Sequence, residues 1–491
     1  MKTIKIYNTL SRSKEEVVPE QDSLIRMYSC GLTVYDFAHI GNLRKYVFDD
    51  LLRRTLEYFG YQVKHVMNVT DVGHLTSDAD EGEDKIEKGA AREGKNAWDV
   101  AKYFEKVFVD DLKKLNIEAP EVMPRATEHI KEQVDLIKKL EEKGFTYKTS
   151  DGIYFDTSKL DDYGKLAGLD KEGLKEGARV EVNIEKKNPT DFALWKLSKG
   201  DCPLEGDCPH APKRDMEWES PWGVGFPGWH IECSAMSTKY LGQPFEIHTG
   251  GVDHINVHHT NEIAQSEAAY DKPLAKYWVH SEHLLEGGRK MAKSDGHFIR
   301  LQDVVERGFD PLDLRYFYLT AHYRSKLDFS WESLAAAKAA RSKITDFAVQ
   351  IDEKSEGSDE EKGFYSKALN DFETAISDDL DTPKALAIVF SAISGGEVAG
   401  FKGLPAIDFL QKIDKILAIG ILANFDREVV GDKFFLAYPH GISSEIVVLA
   451  KKRIEAKANS DFIQADNLRK NIENKGFILE DSSNSTLIKR K

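Results

Sequence analysis

The segment that decides the fold is LIRMYSCGLTVYDFAHIGNLRKYVFDDLLRRTLEYFGYQVKHVMNV, residues 24–69. Residues 24–29 and 63–69 have the composition of strands, and residues 43–59 repeat apolar side chains at helical spacing before Gly60. This order of strand, loop, helix and strand predicts a parallel sheet. The fold class expected is therefore α/β, with a Rossmann-type, doubly wound sheet.

The loop before the predicted helix carries HIGN at residues 39–42. A helix N-terminus offers N–H groups and the positive end of a dipole, which suits a phosphate. Gly41 would allow close approach of a nucleotide, and His39 could donate hydrogen bonds to phosphate oxygens. The alternative is a loop histidine that caps the helix.

Composition sets the class of protein. The 491 residues carry a formal net charge of −15, with 31% charged and 41% hydrophobic residues, which is typical of a soluble chain of several domains and excludes disorder or a fibrous repeat. An acidic total argues against coating nucleic acid by bulk charge. Residues 450–491, however, hold 10 Lys and Arg against 6 Asp and Glu, which leaves a local basic surface.

Cysteine usage and the N-terminus indicate a compartment. The 4 cysteines are too few for a disulfide framework, which predicts reducing surroundings. The first 16 residues lack the apolar core of a signal peptide, and no apolar stretch approaches the ~20 residues of a spanning helix. We expect a soluble, cytosolic protein with no membrane partner.

A second motif, RKMAKS at residues 289–294, lies between two glycine-containing turns. Lys290 and Lys293 on such a loop could neutralise the charge that develops as pyrophosphate leaves; the alternative is a solvated basic turn. In this order, the two motifs resemble the HIGH and KMSKS signatures of class I aminoacyl-tRNA synthetases. The resemblance implies activation of a carboxylate by ATP with Mg²⁺, and roles for His39, Asn42, Lys290 and Lys293 in catalysis.

Two cysteines lie in informative surroundings. Cys30 ends the first strand, and Cys233 lies in GWHIECSAM, residues 228–236. His258 and Glu262 are one helical turn apart in HHTNEIAQ, residues 258–265. Two thiolates, an imidazole and a carboxylate form a plausible zinc set. Spacing alone leaves the alternative of buried cysteines that act as small hydrophobic residues.

Together with NVTD at residues 68–71, these segments resemble the cysteinyl-tRNA synthetase family over nearly the whole chain. The resemblance implies one zinc ion per chain, which is structural and binds the substrate thiol, held by Cys30, Cys233, His258 and Glu262. It implies that cysteine is bound by Gly31, Thr70 and Trp229, and ATP by His39, Gly41, Asn42, Gly250, Gly251, Asp253 and Lys293. The reaction implied is formation of cysteinyl-adenylate from L-cysteine and ATP and transfer to the 3′ end of tRNA(Cys), giving AMP and diphosphate.

Zinc would account for selection of cysteine over serine. A pocket that reads shape alone separates near-isosteres only about 10- to 200-fold. A coordinated thiol ionises and binds zinc well, whereas a hydroxyl is a poorer ligand. An ordinary core aromatic is the alternative interpretation of Trp229, and HTGGVD at residues 248–253 is a less specific nucleotide-binding signal because Gly-Gly turns are common.

The domain organisation expected is a Rossmann-type catalytic domain with an insertion, then an α-helical bundle that binds tRNA and a small C-terminal domain. Residues 97–143 are expected to be helical, residues 151–187 to be a polar insertion, and nearly everything beyond Asp310 to be helical. The boundaries expected are 1–124 and 188–285 for the catalytic domain, 125–187 for the insertion, 286–354 for the KMSKS-type loop and stem-contact region, 355–425 for the bundle and 426–491 for the anticodon-recognition domain.

Some residues depart from the family motifs, and some features of the sequence allow more than one interpretation. Asn42 cannot carry a proton as the last histidine of HIGH can, and Ala292 replaces the first serine of KMSKS. Cys202, Cys208 and His210 form either a second metal site or a set of solvated thiols. An enzymatic rival is the related ligase that joins cysteine to an amino sugar in mycothiol synthesis, which lacks the long tRNA-binding end. A non-enzymatic rival is a tRNA-binding paralogue with an inactive site. We expect a monomer.

Overall fold

The computed structural model describes residues 2–72, 86, 89, 96–168, 185–198, 215–291, 298–352, 354–421, 425–430, 434–439, 442–481 and 485–490. The chain forms two compact units. The first unit comprises Met1–Gly308, Tyr323–Phe329 and Ser377–Leu380. The second unit comprises Phe309–His322, Ser330–Ile376 and Asp381–Lys491.

The first unit contains strands and helices in alternation. Its strands are Lys5–Asn8, Ser13–Glu16, Leu24–Ser29, Gln62–Met67, Thr146–Lys148, Gly152–Phe155, Phe192–Leu197, Gly225–Pro227, Phe245–Gly251, Ala275–Ser281, Leu284–Glu286, Arg289–Lys290 and Leu327–Phe329. Its α-helices are Ile40–Tyr58, Ala97–Lys114, Ile130–Glu142, Trp229–Leu241, Asp253–Asn256, His258–Tyr270 and Leu301–Glu306, and short 3-10 helices span Ala126–His129 and Thr157–Lys159.

A parallel four-stranded sheet lies at the centre of the first unit. Its strand order is Ala275–Ser281, Phe245–Gly251, Leu24–Ser29 and Gln62–Met67. The helices Ile40–Tyr58 and Trp229–Leu241 pack against this sheet. The α/β class with a parallel sheet is thereby confirmed. In such a sheet, residues that follow the carboxyl ends of neighbouring strands meet at one edge, where ligands bind.

The Ile40–Tyr58 helix begins three residues earlier than the apolar periodicity predicts. Its buried face also carries polar residues, among them Lys45, Asp49 and Arg53. The spacing of apolar residues does not predict that these polar residues are buried, because it takes account of hydrophobic side chains only.

The region expected to be helical from residue 97 to 143 contains two helices separated by extended chain. Asn116 ends the first helix with a φ of +56°. Val122 and Arg125 then form parallel bridges to Val66 and Val69, at the edge of the central sheet. Pro120 and Pro124, which lack the N–H that a helix requires, explain why the segment between the helices is extended.

A second, antiparallel sheet joins Thr146–Lys148, Gly152–Phe155, Phe192–Leu197 and Gly225–Pro227 in that order. The Gly152–Phe155 strand is wholly buried, although the surrounding residues are polar enough to predict an insertion with no core layer. The composition averaged over residues 151–187 does not reveal a buried strand of only four residues. The sheet contains strands from both sides of residue 187, the end of the predicted insertion.

The second unit contains helices followed by a small α+β region. Its helices are Pro311–Leu319, Trp331–Ala348, Asp359–Ser377, Thr382–Ala399, Leu404–Leu417, Ser444–Ala458 and Phe462–Asn474. Its strands Phe425–Val430, Phe434–Pro439, Ser485–Arg490 and Phe477–Asp481 form one sheet in that order. The expectation of a helical region beyond Asp310 is confirmed as far as the helix Leu404–Leu417, but it is wrong for the four strands between residues 425 and 490. In strands of five or six residues, the alternation of apolar and polar residues is too short to be distinguished from helical spacing.

Leu436, Ile446, Leu479 and Ile488 form part of the core between this C-terminal sheet and its helices. No helix in the described ranges is both long and apolar enough to cross a membrane.

Candidate functional site

The four residues of the predicted zinc set lie together beside the carboxyl end of the central sheet. Cys30 follows the Leu24–Ser29 strand, Cys233 lies on the Trp229–Leu241 helix, and His258 and Glu262 lie on the His258–Tyr270 helix. One ligand atom from each of the four lies within 4.8 Å of the others, and all four residues are buried. The four residues predicted from the sequence therefore form one cluster in the fold.

Two further histidines orient the helical ligands. The Nδ1 atoms of His230 and His258 are 2.9 Å apart, so one of these nitrogens donates and the other accepts. His258 Nε2 is 3.1 Å from one Glu262 oxygen, and His248 Nε2 is 2.9 Å from the other. Partners of this kind fix the ring and carboxylate orientations that a metal site requires.

The acidic groups of the cluster have strongly shifted pKa values. Burial opposes ionisation of Cys30, but hydrogen bonding from Cys233 and the charge of His259 hold the pKa of the Cys30 thiol well below its ordinary value. The hydrogen bond to Cys30, together with burial, raises the pKa of Cys233 well above its ordinary value. Burial and the charge of Cys30 raise the pKa of Glu262 well above its ordinary value.

Burial and the mutual repulsion of like charges therefore oppose the ionisation of all three acids together. A divalent cation would overcome this opposition, because it favours the ionised form of each ligand that it binds. The donor set of two sulfurs, one imidazole nitrogen and one carboxylate oxygen is one that zinc takes in proteins. The residues present therefore fit zinc.

A second set of potential ligands overlaps the first. Cys30, His248, His259 and Glu262 also place one ligand atom each within 4.8 Å of the others. His259 Nε2 is 3.3 Å from Cys30 Sγ, and its Nδ1 is 2.8 Å from His280 Nε2. The motifs do not predict His259 and His280 as neighbours of the cluster, because adjacent helical residues project about 100° apart and His258 was the one matched to the ligand set.

Two of the predicted cysteine-binding residues adjoin the cluster, since Gly31 follows Cys30 in the chain and Trp229 lies beside His258. Trp229 is half-buried, and its ring centroid is 4.3 Å from that of His258. This position beside a candidate ligand argues against a core aromatic. The Thr70 hydroxyl accepts a hydrogen bond of 3.0 Å from the Asn68 side-chain amide. The Gly31 N–H donates to Asn68 Oδ1 at 2.8 Å, so this N–H is already used within the protein.

His39 and Asn42 form a reciprocal cap at the start of the Ile40–Tyr58 helix. His39 Nδ1 accepts from the Asn42 N–H at 3.1 Å, and Asn42 Oδ1 accepts from the His39 N–H at 3.2 Å. The capping interpretation of His39 is thus part of the structure. The His39 ring covers Gly41, where a Cβ would lie 2.9 Å from two ring atoms. Glycine at this position therefore makes room for the histidine.

The chain after the KMSKS-type loop adjoins this cap. Ile40 N–H donates to the Ile299 carbonyl at 2.8 Å, and His39 forms an antiparallel bridge to Arg300. These contacts bring residues some 260 positions apart in sequence to one place.

Lys290 and Asp253 are paired. Lys290 Nζ is 2.6 Å from Asp253 Oδ2, and His283 Nε2 is 3.4 Å from Asp253 Oδ1. Both Lys290 and Asp253 are about half exposed, with side-chain exposures of 50% and 51%. The structure therefore brings one predicted KMSKS-type lysine to one predicted ATP-binding residue. Lys293, Ala292 and the residues Cys202, Cys208 and His210 lie outside the described residues.

The two glycines of the HTGGVD turn differ in their surroundings. A Cβ on Gly250 would lie 2.5 Å from a His259 ring carbon and 2.7 Å from His254 Nδ1. The room at Gly250 is therefore taken by histidine side chains. Among the residues that the structure describes, none outside the turn itself has an atom within 4 Å of a Cβ built on Gly251, so with respect to them this side of the turn is open.

Comparisons with known proteins agree with the fold. Residues 16–339 match the family described as the tRNA synthetases class I (C) catalytic domain. A methionyl-tRNA synthetase from Mycobacterium tuberculosis in complex with methionyl-adenylate superposes with a TM-score of 0.55 at 13% identity, covering 81% of this chain and 90% of the other, which shows a common fold. The chain is a class I aminoacyl-tRNA synthetase.

Full-length relatives narrow the class. A cysteine–tRNA ligase 1 from Burkholderia lata is 46% identical over 481 residues, covering 98% of this chain and 95% of the relative. A cysteine–tRNA ligase from Treponema denticola is 42% identical over 510 residues, covering 99% and 100%. The chain belongs to the cysteine–tRNA ligase family of enzymes.

Proposed function

We propose that this enzyme activates L-cysteine with ATP and Mg²⁺, forming cysteinyl-adenylate and diphosphate, and transfers the cysteinyl group to the 3′ end of tRNA(Cys) with release of AMP. The observation that carries the proposal is the buried cluster of Cys30, Cys233, His258 and Glu262. Full-length similarity to cysteine–tRNA ligases supports the same reaction. A monomeric state and a cytosolic location belong to the same proposal.

Zinc is the metal proposed for the cluster, with one ion per chain. When bound, it supplies a Lewis acid that takes a thiolate in preference to a hydroxyl. The protein residues hold the four donors in place, with His230 behind His258 and His248 behind Glu262. Burial excludes water from the donors, which strengthens every electrostatic interaction among them.

The amino acid would lie between Trp229 and Thr70. Trp229 provides an apolar wall next to His258, which favours the small side chain of cysteine over larger ones. The Asn68 amide donates to Thr70 Oγ1, and this fixes the direction in which the Thr70 hydroxyl can donate its own proton. Because Asn68 uses the Gly31 N–H, Gly31 contributes surface and its carbonyl to the pocket.

ATP would bind where the helix cap, the HTGGVD turn and Lys290 approach. His39 Nδ1 accepts the Asn42 N–H, so a hydrogen bond from His39 to a phosphate must come from Nε2. Asn42 uses Oδ1 in the cap, which leaves its NH₂ group to donate to a phosphate. Lys290 would exchange Asp253 for phosphate oxygens, and Lys293 would act beside it. Positioning and charge stabilisation carry this catalysis, so no general base is assigned.

The test combines metal content with amino acid activation. We expect about one zinc per chain and ATP–pyrophosphate exchange that depends on cysteine far more than on serine. His258→Ala should lose zinc and exchange. His129→Ala is a matched control, because His129 is also a buried histidine with both ring nitrogens hydrogen-bonded but lies outside the cluster. Exchange with serine comparable to that with cysteine would contradict selection by zinc.

Charging of tRNA separates this function from its rivals. Residues 355–491, which contain helices and a sheet, favour tRNA as the acceptor, because the amino-sugar ligase is expected to lack a long tRNA-binding end. The full chain should form cysteinyl-tRNA and should not join cysteine to an amino sugar. Zinc-free protein that binds tRNA without forming adenylate would instead indicate the inactive paralogue.

A further inference from the structure

Two buried side chains hold the peptide group between Cys30 and Gly31. Lys45 Nζ donates to the Cys30 carbonyl at 2.6 Å. The Gly31 N–H donates to Asn68 Oδ1 at 2.8 Å. The exposed fractions of Lys45 and Asn68 are 9% and 1%. Because the C=O and N–H of a peptide group lie in one plane, these two hydrogen bonds fix the orientation of that plane from both edges.

Both side chains are anchored in turn. Lys45 Nζ is 2.7 Å from Asp49 Oδ2, one turn later on the same helix, and Asp49 is 2% exposed. Asn68 donates through its amide nitrogen to Thr70 Oγ1 at 3.0 Å. The Asn68 amide can make both of its contacts in one orientation only, with the oxygen toward Gly31 and the nitrogen toward Thr70.

The backbone at this point leaves no room for an alternative arrangement. A Cβ built on Gly31 would lie 1.6 Å from the Asn68 carbonyl oxygen. Cys30 N–H also donates to the Thr249 carbonyl at 3.2 Å. The end of the Leu24–Ser29 strand is therefore held between its neighbours at the point where the sulfur of Cys30 enters the cluster.

Among the four candidate ligands, Cys30 alone lies outside regular secondary structure. Cys233, His258 and Glu262 are within helices, where the ladder of backbone hydrogen bonds fixes their positions. The buried Lys45–Asp49 ion pair contributes little to the free energy of folding, because the cost of burying two charges offsets their attraction. A role in holding Cys30 accounts for a buried lysine at this place.

We propose that Lys45 and Asn68 are positioning residues, which hold the Cys30–Gly31 peptide and thereby place Cys30 Sγ in the metal cluster. The inference rests on the zinc site of the proposed function. Loss of a residue that orients a metal ligand costs about 10- to 100-fold in metal affinity. We expect losses of this size for Lys45→Met and for Asn68→Ala, although neither residue touches the metal.

The experiment uses the full chain purified with zinc. Zinc dissociation constants are measured by competition with a chromogenic chelator, and the cobalt-substituted protein is examined for its thiolate-to-cobalt absorption. The control for Lys45→Met is Lys64→Met, because Lys64 Nζ also donates to a backbone carbonyl at 2.6 Å, that of Tyr240, away from the cluster. The control for Asn68→Ala is Gln133→Ala, because Gln133 is also a buried amide, and it donates to the Ala126 carbonyl at 2.8 Å.

Weaker zinc binding and an altered cobalt spectrum in Lys45→Met and Asn68→Ala, with both controls unchanged, would support positioning. Equal weakening in the controls, or wild-type zinc affinity and spectra in the two variants, would overturn it. If Lys45→Met does not fold because Asp49 is left unpaired, Asn68→Ala decides, since it leaves no buried charge behind. Wild-type protein without zinc would refute the zinc site itself, whereas zinc-loaded wild type with unaffected variants refutes the positioning role alone.

Discussion

Zinc binding should depend steeply on pH, with a slope set by the protons that the cluster holds. The hydrogen bond to Cys30 and burial raise the pKa of Cys233 well above its ordinary value, so the metal-free protein keeps this thiol protonated at neutral pH. Burial and the Cys30 charge raise the pKa of Glu262, which adds up to one more proton. Hydrogen bonding from Cys233 holds the pKa of Cys30 low against the effect of burial, so Cys30 ionises before Cys233.

Zinc must displace these protons, so between one and two are released on binding. Each released proton tightens binding about 10-fold per pH unit, which corresponds to about 1.4 kcal/mol. The zinc dissociation constant should therefore fall about 10- to 100-fold from pH 7 to pH 8. The sign follows because raised acid pKa values favour the metal-free, protonated state at low pH, and this advantage is lost as pH rises.

The assay is calorimetric titration of metal-free protein with zinc at several pH values, in buffers of different ionisation enthalpy, which counts the protons directly. Glu262→Gln is the matched variant, because glutamine keeps the shape and carries no titrating proton. Its slope should be about 10-fold per pH unit, whatever the loss in overall affinity. A wild-type dissociation constant that does not change with pH, or binding without proton release, would refute this account of the cluster.

Three further outcomes are expected. Gly31→Ala should lower zinc content, measured by elemental analysis, because its Cβ would lie 1.6 Å from the Asn68 carbonyl oxygen; full zinc occupancy would contradict this. Lys290→Ala should reduce ATP–pyrophosphate exchange about 100-fold or more through lost charge stabilisation, and exchange within twofold of wild type would argue against that role. Asp379→Ala should lower the free energy of unfolding by about 3 kcal/mol in urea titrations. Asp379 is wholly buried and accepts from Tyr7 N–H, Tyr323 and Arg324; a loss under about 1 kcal/mol would show that these contacts are replaced.

Much of the sheet could be predicted because its signals are local. The Leu24–Ser29 strand has the bounds that the sequence indicates, and the neighbouring strand and helix differ by one to three residues at their ends. The region from residue 425 to 490 could not be predicted in the same way. Its strands are short, and they become strands because they pair with one another and cover the helix residues Ile446 and Ile472.

The sequence by itself determined the chemistry of the candidate site. Residue type names the possible donors, and the spacing of His258 and Glu262 puts both on one face of a helix. The two signature motifs and the segments around the cysteines determined the family. These are properties of residue identity and of short-range helix geometry, which do not depend on the rest of the fold.

Tertiary structure alone decided which side chains support that chemistry. Cys30 and Cys233 meet because a parallel sheet and a helix bring distant segments to one edge, and His248, His259 and Lys45 reach the cluster by the same route. The reason is physical. A buried polar group is tolerated where a partner satisfies it, and that partner is chosen by packing between elements far apart in sequence. Hydrophobic periodicity shows which face of a helix is buried, but it does not show which polar side chains are buried with it.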